Sequence, residues 1–209
     1  TTDSRKPDEP GLSELTLEGV NTAKEIYYWG HYPVADLEYE TDAPVSIGLR
    51  AWVPFLPGDI QNSLIPGVVF EMHLRNTSDD AISGTVAFSF PGPTEAEAGA
   101  SIFARREITA DSFKGVEVAT EKASYALGVV GEEELRVGGE LGADGPAWVD
   151  MANSLPVAEP GQPGTSISVR FDLKPIEAKI IRFLLTWHSP QWKGGGHPSS
   201  TEGNTFTHK

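Results

Sequence analysis

Cysteine is absent from the 209 residues, and with it go disulfide staples, thiolate nucleophiles and Cys-ligated zinc or iron–sulfur centres. No apolar run approaches the roughly 20 residues that a membrane-spanning helix needs. The densest, Ile180 to Trp187, is broken by Arg182 and Thr186, so no transmembrane segment is expected. Basic residues are scarce, 16 Lys and Arg against 30 Asp and Glu, for a net charge of −14. A field of that sign repels phosphate backbones and anionic head groups, which argues against a nucleic-acid partner and leaves neutral ligands open. Unbroken windows for long helices are also few, because 22 Gly and 16 Pro punctuate the chain. Thr1 to Pro10 is polar and lacks the apolar stretch of a signal peptide. The missing initiator Met and the abrupt TFTHK end (Thr205 to Lys209) read as an excerpt from a longer protein.

Bulky apolar residues are present in number: five Trp, five Tyr and nine Phe, with 39% apolar and 22% charged residues overall. That composition suits a folded core. Alternation of period two then fixes the class. Val68, Phe70, Met72 and Leu74 share one strand face, with Glu71, His73 and Arg75 opposite. Val86, Phe88 and Phe90 repeat the pattern, and Asn76 to Asp80 (NTSDD) has the chemistry of a turn joining two neighbouring antiparallel strands. Val45 to Ala51, Ile167 to Leu173 and Ile181 to Trp187 alternate likewise. Further strands are expected at Glu25 to Trp29, Val34 to Glu40, Ser101 to Arg106, Phe113 to Thr120, Ser124 to Val129 and Ala147 to Met151, and at the edge over Thr16 to Val20. Gly145 to Ser154 admits either a strand or a helix with Pro146 at its first position. The expected fold is all-β: a two-sheet antiparallel β-sandwich with few short helices, one domain over 1–209, with 1–15 a flexible leader. Its core should hold Phe70, Met72, Leu74, Val86, Phe88, Phe90, Val169, Phe171, Phe183 and Leu185.

Candidate chemistry concentrates in two places. Asp36, Glu38 and Glu40 project from one strand face, with Arg50 a candidate counterion across the neighbouring strand. A glycosidase needs two carboxyls about 5–10 Å apart on opposite sides of a sugar. A row of like charges on one face ordinarily meets water instead, so no catalytic residue is assigned. The second place is Thr186 to Lys193 (TWHSPQWK), where Trp187, Trp192 and His188 could stack and bond a sugar ring. Trp187 continues an apolar strand face and reads first as core, whereas Trp192 in its Gly/Pro-rich loop fits core and binding equally. His188, His197 and His208 match no compact ligand spacing, so no metal and no other cofactor is expected. There is no G-x-S-x-G serine elbow and no phosphate-binding loop. Asn76-Thr77-Ser78 spells a glycosylation sequon.

Two long blocks carry a family resemblance. The first is GHYPVADLEYETDAPVSIGLRAWVPFLPGD (Gly30 to Asp59), followed by Asn62-Ser63 and PGVVFEMHLRN (Pro66 to Asn76). The second is IRFLLTWHSPQWK (Ile181 to Lys193), closing on TFTH (Thr205 to His208). Both resemble the amino-terminal domain of glycoside hydrolase family 116, which contains bacterial β-glucosidases and non-lysosomal glucosylceramidases. The middle, 95–164, carries little of it, and the glycine-rich opening usual ahead of the first block is missing. The resemblance implies a sandwich packed on an (α/α)6 barrel, and retaining hydrolysis of β-glucosides or a glucolipid by a Glu nucleophile and an Asp acid/base. Both catalytic residues belong to the barrel, which is expected after residue 209, so none is carried onto this chain.

Three functions follow as expectations: an accessory domain of such an enzyme, a free-standing carbohydrate-binding sandwich, or a structural or adhesion-type sandwich without ligand. For the first, the docking surface is expected at 30–36 and 187–197. His31, Tyr32, Trp187, His188 and Trp192 are its interface or sugar-contact candidates, with Trp192 as anchor. Arg170, Lys174, Lys179, Arg182 and Lys193, against only Asp172 and Glu177 in the same stretch, suggest a basic strip along that surface.

Overall fold

The computed structural model describes residues 17–132, 134–189, 191–193 and 205–207. The expected leader lies outside these. In chain order the strands are β1 (Glu25–His31), β2 (Val34–Glu40), β3 (Val45–Trp52), β4 (Gly67–Asn76), β5 (Ile82–Phe90), β6 (Ala104–Ala110), β7 (Phe113–Ala119), β8 (Ser124–Val130), β9 (Leu135–Gly138), β10 (Thr165–Leu173), β11 (Ala178–His188), β12 (Gln191–Lys193) and β13 (Thr205–Thr207). Three short helices, α1 (Ile60–Ser63), α2 (Glu95–Ala98) and α3 (Gly145–Asp150), interrupt them.

Eight strands form one antiparallel sheet in the order β1-β2-β3-β4-β11-β8-β7-β6, and three form a second, β5-β10-β9. β12 and β13 pair as a separate ribbon. This is the all-β, two-sheet sandwich expected from the alternation. Register makes the physical reason visible. Ala51, Phe70, Phe183 and Val129 lie opposite one another across β3, β4, β11 and β8, and Leu49, Met72 and Ile181 form the adjacent inward row. The second sheet answers with Val86, Phe88, Phe90, Ile167, Val169, Phe171 and Leu173. Phe88 sits 4.5 Å from Phe70 and 5.7 Å from Phe183, ring centre to ring centre, and Phe90 meets Tyr125 edge to face at 4.9 Å. All ten residues expected in the core belong to this cluster. Leu74, Val169, Phe171, Phe183 and Leu185 are fully buried, and the other five are half-buried against them.

The sheets are unequal, and that decides where apolar surface is left over. A three-stranded layer cannot cover an eight-stranded one, and β1 is exposed along its whole length. Ile26 and Tyr28, on the inward side of β1, remain 56% and 47% exposed.

Four local expectations are corrected. Asn76 to Asp80 does not join neighbours in one sheet: β4 and β5 lie in different sheets, and the segment is a corner between them. The cause is the fully buried Asn76 side chain, whose Nδ2 donates to the carbonyls of Asp80, Leu173 and Lys174 while Oδ1 accepts from Ser78 N and Oγ. Those bonds also remove the sequon from use in the folded domain. The strand expected at Ser101 begins only at Ala104, because Phe103 is buried and its N–H bonds Pro160 O at 2.9 Å, anchoring a loop instead of a ladder. Residues 17–20 form a turn, not an edge strand, closed by Val20 N on Leu17 O. β9 is a further strand, not anticipated between Gly131 and Gly145: a four-residue edge strand with Arg136 and Val137 both exposed, too short to alternate legibly. The segment left open at Gly145 resolves as helix, with Asp144 capping Ala147 N and Pro146 in the first turn.

Candidate apolar docking surface at one end of the large sheet

The antiparallel register gathers several connections at one end of the large sheet. They are the β1–β2 turn at Tyr32-Pro33, the β3–β4 connection over 53–66, the end of β11 at Trp187-His188 and the β7–β8 turn. Backbone bonds tie them together: Val53 N donates to Pro33 O at 3.3 Å, and Trp187 N to Pro66 O at 3.0 Å. Tyr32, 77% exposed, meets Phe55 edge to face with ring centres 5.1 Å apart.

The 53–66 connection is well ordered by its own polar groups. Leu56 N donates to Ser63 Oγ at 2.8 Å, and Ser63 Oγ donates back to Leu56 O at 3.1 Å. Asp59 caps α1 through Asn62 N and also accepts from Asn62 Nδ2 at 2.6 Å. The Asn62 side chain, then its backbone N–H, hold the Asp59 carboxyl below the usual carboxylate range. With its polar groups turned on one another, the loop holds Leu56, Ile60, Leu64 and Ile65 out to solvent at 52%, 74%, 72% and 50% exposure. Four exposed aliphatics beside Tyr32, Phe55 and Trp187 exceed what scattered surface residues explain.

The structure therefore brings four of the five candidates, His31, Tyr32, Trp187 and His188, to the same sheet end. They do not touch: β1 and β11 are four strands apart, about 19 Å at the usual strand spacing. What fills the gap is the 53–66 loop, which lies between β3 and β4 and was not among the candidates. Its signal was there, in five large apolar residues between Pro54 and Pro66 where a solvated loop needs none. Trp187 corrects another expectation. Its facing parity is that of Ile181, Phe183 and Leu185, but it lies past the covered part of the sheet and is 47% exposed, not core. Trp192 lies in β12, in register with Phe206 of β13. His197 and His208 lie outside the described residues.

The basic strip does not form. Arg170 belongs to the small sheet and faces Asp172, whereas Arg182 bonds Glu71 at 2.9 Å and Lys179 bonds Glu132 at 2.9 Å. Three cations grouped in sequence are thus dispersed over two sheets, each beside an acid: Asp172 in Arg170's own strand, Glu71 in β4 and Glu132 just beyond β8.

The carboxylate row is equally unsuited to acid–base work. Asp36 stands opposite Arg50, as the cross-strand reading expected, with Arg50 Nε and a terminal nitrogen on its two oxygens at 2.7 and 3.2 Å. The Arg50 hydrogen bonds hold the Asp36 carboxyl below its ordinary range, the reverse of what a general acid requires. Glu40 and Glu25 accept from the Tyr27 hydroxyl, whose pKa is pushed up to about 12, chiefly by the Glu25 bond. Among the described residues no group of three His, Asp or Glu could hold a metal ion. Nor is any helix there long and apolar enough to cross a membrane.

The comparisons with known proteins bear on this arrangement. A solved chain assigned as a kojibiose phosphorylase, from human microbiome, superposes with a TM-score of 0.39 at 9% sequence identity. The match covers 74% of the present chain and 17% of that one. No curated protein matches the sequence. The family model described as beta-glucosidase 2, glycosyl-hydrolase family 116 N-term, matches residues 4–126, more than half of the chain and all of β1 to β7. The chain belongs to the family of glycosyl-hydrolase family 116 N-terminal domains.

Proposed function

We propose that the chain is the accessory β-sandwich domain of a retaining β-glucosidase or glucosylceramidase, one domain over 1–209 that packs on a catalytic (α/α)6 barrel of the same parent protein. The observation that carries this reading is the apolar patch of Tyr32, Phe55, Leu56, Ile60, Leu64 and Ile65, continued at Trp187. Apolar side chains held out by an ordered loop gain free energy only when something covers them. Interdomain contacts have this anatomy, with an apolar centre and a polar rim, here supplied by His31 and His188. The hydrolysis of β-glucosides belongs to the barrel, and the sandwich supports it.

The test is to express the 209-residue chain and the parent's catalytic half as separate polypeptides and measure their association. The double variant Ile60→Ser/Leu64→Ser should weaken the complex at least about tenfold. Ile176→Ser, at the opposite end of the sheet on an equally exposed residue, should leave it unchanged. Tight association indifferent to the loop variant would place docking elsewhere.

A second expectation concerns activity. The chain alone should not turn over an aryl β-glucoside, because its best-placed carboxyl, Asp36, is committed to Arg50. Turnover abolished by Asp36→Asn or Glu38→Gln would overturn the accessory role.

A further inference from the structure

The outward face of the large sheet carries a second feature, separate from the loop-end patch. Register sets Trp29, Asp36, Arg50, Glu71 and Arg182 side by side across β1, β2, β3, β4 and β11. The next outward row runs Tyr27, Glu38, Gly48, His73 and Ile180. Gly48 sits in the middle of that row without a side chain, and the gap opens a groove of about 460 Å³. Trp29, Asp36, Glu38, Arg50 and His73 line it. That volume falls within the about 300–1,000 Å³ of small-molecule sites.

The lining has a definite chemistry. At the β1 end, Trp29 is 52% exposed and Tyr27 42%, with ring planes 27° apart and centres separated by 6.2 Å. Such an exposed aromatic face suits the C–H face of a sugar ring. Beyond it Asp36 pairs with Arg50, Glu71 with Arg182 in the same row, and Lys179 of the lining with Glu132, while the remaining lining charges, Glu38 and Arg75, are of opposite sign, so the groove offers hydrogen bonds without a large charge of one sign to recruit an ion. The Glu38 side chain has no hydrogen-bond partner among the described residues, and His73 keeps 42% of its side chain exposed, although its Nε2, 3.6 Å from Glu71, is itself buried without a hydrogen-bond partner. A net charge of −14 also disfavours an anionic ligand.

We propose that this groove binds a neutral saccharide, with Trp29 stacking on a ring and Asp36, Glu38, Arg50 and His73 bonding its hydroxyls. The site does not rest on the docking reading, and either can fail alone.

Gly48 supplies a clean variant. A Cβ there would meet Leu37 O at 3.5 Å and His73 Cβ at 3.8 Å, ordinary contacts, so Gly48→Gln fills the groove without straining the strand. Calorimetric titration of the 209-residue chain with cellopentaose, laminaripentaose and maltopentaose, each to about 20 mM, is the experiment. At least one should bind saturably with a dissociation constant on the order of 1 mM. Trp29→Ala should weaken that binding at least tenfold, and Gly48→Gln should abolish it with the melting temperature unchanged. Trp187→Ala, at the loop end, should leave it intact. Saturation by none of the three, binding that survives both groove variants, or tighter binding of an anionic hexagalacturonate would each overturn the proposal.

Discussion

Phe183→Ala should destabilise the domain by about 3–5 kcal/mol, the usual cost of deleting a buried aromatic ring. Phe183 is 0% exposed and lies in β11, the strand that joins the two halves of the large sheet. It has Phe70 on one side and Val129 on the other, and Phe88 reaches it from the opposing sheet with ring centres 5.7 Å apart. Removing the ring therefore opens a cavity where both layers and both halves meet, and backbone held on two sides by ladder bonds cannot collapse into it. Phe183→Leu, which keeps most of the volume, should cost well under half as much. Urea denaturation of the three proteins with a common m-value measures both. A loss below about 1 kcal/mol for the Ala variant would put the ring outside the core and shift the register of β11 by one residue.

That register was legible because alternation is local physics. In β4, Phe70, Met72 and Leu74 against Glu71, His73 and Arg75 can face only one way once one side is dry. The Asp36–Arg50 pair was legible for the same reason, since parity and hairpin spacing together place them opposite. Two things were not legible, each because it depends on the length or number of layers, and a third had a signal that was masked. Trp187 has core parity, but parity does not say where the covering sheet stops. The exposure of Ile26 and Tyr28 follows from three strands facing eight, a count no single segment encodes. The aliphatics of 53–66 were masked by the prolines and glycine around them, although Ser63 and Asp59 were available to organise the loop.

The corner at Asn76 shows the same limit and allows the second large prediction. NTSDD has equal turn chemistry whether the chain reverses within a sheet or crosses to the other, and the choice lies with partners about a hundred residues away. Asn76 Nδ2 donates to Asp80 O at 2.7 Å, Lys174 O at 3.0 Å and Leu173 O at 3.3 Å, so two hydrogens serve three carbonyls from two parts of the chain. Oδ1 accepts from Ser78 N at 2.9 Å and Ser78 Oγ at 2.8 Å. Asn76→Ala strands these buried groups at about 1–3 kcal/mol for each one left unsatisfied, and a total loss of about 3–4 kcal/mol is expected. Asn76→Asp keeps the shape and the bonds from Ser78 but turns an acceptor toward three carbonyls, so near neutral pH it should be worse than Ala. Its pH dependence should separate the two causes. Burial and facing carbonyls disfavour the charged form, so in the N76D protein the folded-state pKa lies above the unfolded value of about 3.9. The folded state then binds the extra proton. The added stability is fully present below the unfolded pKa and is lost as pH rises through the folded one. Relative to wild type, N76D should therefore recover stability between about pH 7 and pH 4, whereas N76A should show no such recovery. Equal, pH-independent losses in the two variants would mean that Asn76 acts by shape alone and that the corner is held by other bonds.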